Sequence, residues 1–156
     1  MSLKEFFLIF PSLFMFHELE ELIFMPKFVS SNFSSFLKNK VGFNYSPFVF
    51  NLVVFEQFIL LFVILVVSYY NNYFTFYITI IIAYVYHVVG HIIQSIILRK
   101  YIPGLISGII SSAVCILFIE KYSRENIQVC LYSLITLLLI FLNIAVSFKF
   151  LTKKQK

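Results

Sequence analysis

From Phe48 to Tyr69 the chain carries a single charged residue, Glu56. That run is as long as the ~20 residues a helix needs to cross the hydrocarbon of a bilayer. Similar runs recur along the sequence. Inside hydrocarbon no water answers a backbone N–H or C=O, so a spanning segment is either a helix or part of a closed barrel. A barrel would need alternating segments of ~10 residues, and none occur. The expected fold class is therefore all-α, a polytopic transmembrane bundle. Composition agrees: 61% of the chain is hydrophobic and 12% charged, where a soluble domain has about a quarter charged. A length of 156 residues leaves room for one bundle and no separate soluble domain, so residues 1–156 are read as a single integral-membrane domain.

Five spans are expected, at about 4–25, 48–69, 73–98, 102–120 and 127–149. Pro26 should stop the first and Pro47 should open the second. Tight links at Tyr69–Tyr73 and Arg99–Tyr101 make consecutive helices antiparallel neighbours. The first segment does not read as a cleavable signal, because His17 and glutamates stand where a small-residue cleavage site would be. Cys115 and Cys130 are isolated from each other and from histidine, and read as small buried apolar residues.

Lysine and arginine set the expected orientation. One side carries Lys27, Lys38, Lys40, Arg99, Lys100, Lys149, Lys153, Lys154 and Lys156; the other carries Lys4, Lys121 and Arg124. Nine against three places the N-terminus outside and the C-terminus in the cytoplasm, in a multi-pass plasma-membrane protein. The net charge of +5 then faces anionic inner-leaflet lipid, so membrane lipids are expected partners and nucleic acid is not. In the first loop Val29, Phe33, Phe36, Leu37 and Val41 recur at helical spacing, which predicts a short interfacial helix.

Against this background the ionisable groups stand out. A charge at bilayer depth costs a few kcal/mol or more, and is kept where it pairs, binds a metal, moves protons or lines a watery cavity. His17, Glu20 and Glu21 share a helical face; Glu18 lies about 100° from His17 and points elsewhere. His87 and His91, at i and i+4, share another face. Counted from the inner ends at ~1.5 Å per residue, Glu21 lies roughly 8 Å deep, His17 and Glu56 roughly 13 Å, His91 roughly 12 Å and His87 roughly 18 Å. Groups from three helices thus reach one slab.

Imidazole with carboxylate suits Zn, Fe or Mn rather than soft thiolate metals. His17, Glu21 and His91 are the expected ligands, His87 and Glu56 ligands or groups orienting one, and Glu20 the general base. The pattern partly matches the His-x-x-Glu-His of some zinc peptidases, with Glu21 in place of the last histidine. A divalent metal is the expected cofactor, and no nucleotide cofactor is. The plain alternative is that these groups hydrogen-bond across helices.

The combination of His17-Glu18-Leu19-Glu20-Glu21, a further histidine (His87 or His91) and Tyr101-Ile102-Pro103-Gly104 resembles the HXXEE-domain membrane proteins, a family without an assigned activity. The resemblance supports the choice of residues rather than a reaction, and implies that Glu18 occupies a variable position. Tyr101, Pro103 and Gly104 also read as a helix start leading into a face of small residues, Ser107, Gly108, Ser111 and Ser112, fit for close packing. A sharper reading has Tyr101 with Arg99 and Lys100 meeting a lipid headgroup.

The expected function is a metal-dependent membrane hydrolase of a lipid-like or hydrophobic substrate, with hydrolysis favoured over oxidation. The alternatives are a small proton- or ion-coupled transporter, or a non-catalytic interaction or immunity protein whose polar cluster is structural.

Overall fold

The computed structural model describes residues 2–30, 46–122 and 127–154. Five helices follow in order: α1 (Leu3–Ser30), α2 (Pro47–Asn71), α3 (Phe74–Leu98), α4 (Leu105–Tyr122) and α5 (Ile127–Lys154). No strand occurs among the described residues. The interfacial helix expected in the first loop falls largely on residues 31–45, outside those described.

Three helices, not five, are long and apolar enough to cross a membrane: α2, α3 and α5. They mark the chain as a membrane protein. The expectation of five spans fails at α1 and α4 for different reasons. α1 concentrates Glu18, Glu20 and Glu21 within one turn of a 28-residue helix. α4 has 18 residues, roughly 27 Å at the usual rise, short of a ~30 Å hydrocarbon core. Glu120 and Lys121 near its end shorten the apolar part further.

Helix ends follow local chemistry. Ser46 caps α2 by accepting from Val49 N at 3.4 Å, and Pro47 takes the first position, where its missing N–H is not needed. Asn72 and Arg99 close α2 and α3 in the left-handed conformation. Pro26 does not stop α1, which runs through Pro11 and Pro26 to Ser30. A proline removes one intrahelical bond, whereas ending the helix there would leave several backbone groups without partners.

Aromatic packing fixes the bundle at the end away from His17–Glu21. Phe6 stacks on Phe118 with centroids 4.2 Å apart. Phe7 and Tyr77 lie 4.4 Å apart, and the Tyr77 hydroxyl donates to the Phe7 carbonyl at 3.2 Å. Both phenylalanines and Tyr77 are fully buried. α1 packs against α4 and α2, while α3 packs against α4 and α5. α1, α3 and α4 therefore enclose one region, and α2 and α5 close the opposite side.

Candidate metal site

Two residues one turn apart on α1 face two residues one turn apart on α3. His17, Glu21, His87 and His91 each offer a ligand atom, and these atoms lie within 4.8 Å of one another. Nε2 of His91 lies 3.0 Å from Glu21 Oε1 and 2.9 Å from His87 Nε2. Nε2 of His17 lies 3.7 Å from Glu21 Oε1. Ligands at ~2.0–2.1 Å around a tetrahedral ion sit roughly 3.3 Å apart, so these separations bracket what an ion requires.

The set is buried and incompletely satisfied. No hydrogen bond of good geometry reaches His17 Nε2, Glu21 Oε1 or His91 Nδ1. A buried polar atom without a partner costs about 1–3 kcal/mol. The cluster could hold a metal ion.

The surroundings orient the ligands. His17 Nδ1 donates to the Gly104 carbonyl at 2.9 Å. That bond fixes the tautomer and turns the Nε2 lone pair toward Glu21 and α3. Gly104 adopts φ +87°, a region that glycine enters without penalty. A Cβ there would stand 2.7 Å from His17 Cε1 and 2.9 Å from Glu21 Cγ. At Gly108 a Cβ would lie 3.0 Å from His17 Nδ1 and 3.1 Å from Val88 Cγ1. The small face of α4 thus packs where the cluster needs room. α4, not α2, is the third wall.

Two expected site residues lie elsewhere. Glu56 accepts from Ser147 Oγ at 3.0 Å and Asn143 Nδ2 at 3.4 Å. It faces α5, because its position on α2 turns it away from α1 and α3. Glu20 is not free to act as a base. Its Oε2 accepts from Ser107 N at 2.6 Å, and its Oε1 accepts from the Tyr101 hydroxyl and from Ile106 N at 3.4 Å. Glu20 therefore caps the N-terminus of α4 from a neighbouring helix, where a carboxylate meets unpaired amides and the positive end of the dipole. Burial and that carboxylate push the Tyr101 phenol up to about 12. Tyr101, Pro103 and Gly104 form the turn that brings α4 onto α1, with Pro103 two residues ahead of the helix.

Glu18 is the residue that the sequence undervalued. Its offset from His17 does turn it away from the cluster, and it lines a cavity of about 330 Å³ shared with His87. His87 is the half-buried member of the cluster and touches both spaces.

The family model for proteins of unknown function with an HXXEE motif matches residues 8–119. The chain belongs to the HXXEE family. Within that motif the histidine and the last glutamate face α3, and the first glutamate of the pair holds α4. The matched segment ends just inside α4, so α5 lies beyond it. No curated protein and no solved structure matches the chain.

Proposed function

We propose that this HXXEE protein binds one divalent metal ion through His17, Glu21, His87 and His91, and acts as a metal-dependent membrane hydrolase on a lipid-like substrate. The observation that carries the reading is the convergence of four ligand groups from α1 and α3, with His17 Nε2 and Glu21 Oε1 buried and without a hydrogen-bond partner. Three imidazoles and a carboxylate suit Zn, Mn or Fe. Four protein donors fill a tetrahedral zinc and leave open positions on an octahedral ion. When bound, such an ion supplies Lewis acidity and a more acidic water.

The chain's own groups divide the remaining work. Gly104 holds His17 in its ligating tautomer. Glu20 keeps α4, and with it Gly104, in place. Glu18 is the carboxylate that borders the cavity, and it takes the proton-accepting role expected of Glu20. An apolar cavity beside His87 favours a hydrophobic substrate over a water-soluble one.

The test is elemental analysis of protein purified in mild detergent without chelator. About one Zn, Mn or Fe per chain is expected, lost in His17→Ala and in His91→Ala. Metal-free protein whose stability does not respond to added Zn, Mn or Fe overturns the reading. Purified protein given fluorogenic acyl esters tests the hydrolase part. Hydrolysis that disappears in His91→Ala supports it, and metal-loaded protein inert toward such esters counts against it.

A further inference from the structure

The cavity beside the cluster is polarised along its length. On α3 it is lined by Phe76, Ile80, Ala83, Tyr84 and His87, one helical face running roughly 16 Å from Phe76 to His87. On α1 it is lined by Phe10, Phe14 and Glu18, and on α2 by Gln57 through Ile64. The helices alternate in direction, so Glu18, Gln57, His87 and Asn143 meet at one end. Phe10, Phe76 and Ile64 meet at the other, where Thr136 is the only polar lining residue among those described. Lining residues Leu60, Phe76 and Leu139 are also 42%, 49% and 61% exposed, so the rim lies on the surface that faces hydrocarbon.

We infer that this cavity receives the single acyl chain of an uncharged amphiphile, with its polar head at Glu18 and His87. A length of roughly 16 Å matches one leaflet, half of a ~30 Å hydrocarbon core. The polar end sets the head chemistry. Glu18 is buried there, no lysine or arginine among the described residues lines the cavity, and no described side chain donates a hydrogen bond to Glu18. A buried carboxyl group without a partner favours a head with hydroxyls to pair with it, and an end with no described cation disfavours an anionic head. A monoacylglycerol fits; a free fatty acid, whose carboxylate would meet no cation among the described lining residues, does not. Gln57 Nε2 donates to Asn143 Oδ1 at 2.7 Å, which closes the polar end between α2 and α5. Entry is lateral, past Leu60 and Leu139. This inference takes its substrate role from the metal-site reading, but occupancy of the cavity is measurable without any metal.

The experiment is native mass spectrometry of the detergent-purified full chain titrated with monopalmitoylglycerol and, separately, with palmitate. One monopalmitoylglycerol per chain is expected, with palmitate binding at least about tenfold more weakly, a difference worth about 1.4 kcal/mol. Ala83→Phe fills the cavity and should weaken binding about tenfold or more. Leu60→Trp narrows the rim from a lipid-facing position, so it retains its fold even if Ala83→Phe does not, and it should weaken binding too. His17→Ala should bind monopalmitoylglycerol as the unaltered protein does while losing metal, which separates failure of the cavity from failure of the metal site. No uptake of monopalmitoylglycerol, or full uptake by Leu60→Trp and by any Ala83→Phe protein that folds, overturns the inference. Equal uptake of palmitate overturns the assignment of the head to Glu18.

Discussion

The α1–α3–α4 side of the bundle and the α2–α5 side both carry polar groups among apolar helices, and treat them in opposite ways. Between α2 and α5 the polar groups satisfy one another: Gln57 donates to Asn143, and Ser147 donates to Glu56. Such pairs in membrane bundles contribute about 0.6–2 kcal/mol each. Between α1 and α3 the polar groups converge and are left with unmet atoms. They stay there because α4 presses against them through Gly104 and Gly108, and because Glu20 holds the start of α4. Paired polar groups account for cohesion, and converging unpaired ones account for a site.

The largest effect is expected where the two requirements collide. Gly104→Ala must enter the left-handed region and place a methyl 2.7 Å from His17 Cε1. Strain and overpacking together should cost about 3 kcal/mol or more, read as a lower melting temperature in detergent. Metal binding should disappear with it, because the added methyl pushes His17 and Glu21 out of position. A Gly104→Ala protein with unchanged melting and full metal content would show that α4 does not constrain the cluster.

Adjacent glutamates give the next test, since one helix turn assigns them to different tasks. Glu20→Ala removes the acceptor for Ser107 N and for the Tyr101 hydroxyl, and should cost about 1–2 kcal/mol, the usual scale of a lost cap. It should keep most of its metal. Glu21→Ala should lose metal affinity by far more, since a proposed ligand is gone. In metal-free buffer it should change stability far less than it changes metal affinity, because Glu21 Oε1 makes no hydrogen bond of good geometry. Melting curves with and without added Zn read both. The contrast collapses if Glu20→Ala strips the metal as Glu21→Ala does.

On the other side, Gln57→Leu breaks the bond to Asn143 and should cost about 1 kcal/mol with no change in metal content. Coupled loss of metal would mean that the two sides are one network rather than two.

The sequence made the four-residue cluster legible because i, i+4 spacing on α1 and on α3, together with depth counted from helix ends, is a purely geometric property of helices. It misplaced Glu56 for the same reason that it placed the others. Depth says at what level a side chain lies, but not which neighbour it faces, and α2 packs against α1, α3 and α5 alike. It misjudged Glu20 because a carboxylate on a shared face looks identical whether it meets a metal or the amides of another helix. That second partner comes from the turn at Tyr101–Gly104, which folds back across 80 residues of chain. The five expected spans became three because apolar runs were counted without discounting the carboxylates of α1 or the shortness of α4. The cavity left no trace in any single segment, since four helices build it.

The smallest effect tests whether glycine itself, or its location, is what matters. Gly90 lies in the middle of α3, one residue from His91, yet a Cβ there would meet nothing within 4 Å. It points away from α1 and α4, so none of the crowding at Gly104 or Gly108 applies. Glycine inside a helix costs roughly 0.5–1 kcal/mol relative to alanine, through the greater freedom of the unfolded chain. Gly90→Ala should therefore raise stability by about 0.5 kcal/mol, or slightly less where lipid already enforces helix, and leave metal content unchanged. Destabilisation, or loss of metal, would show that α3 needs local flexibility beside His91. The cluster would then have to open in order to work, and the contrast between a rigid, crowded α4 and a passive α3 would have to be given up.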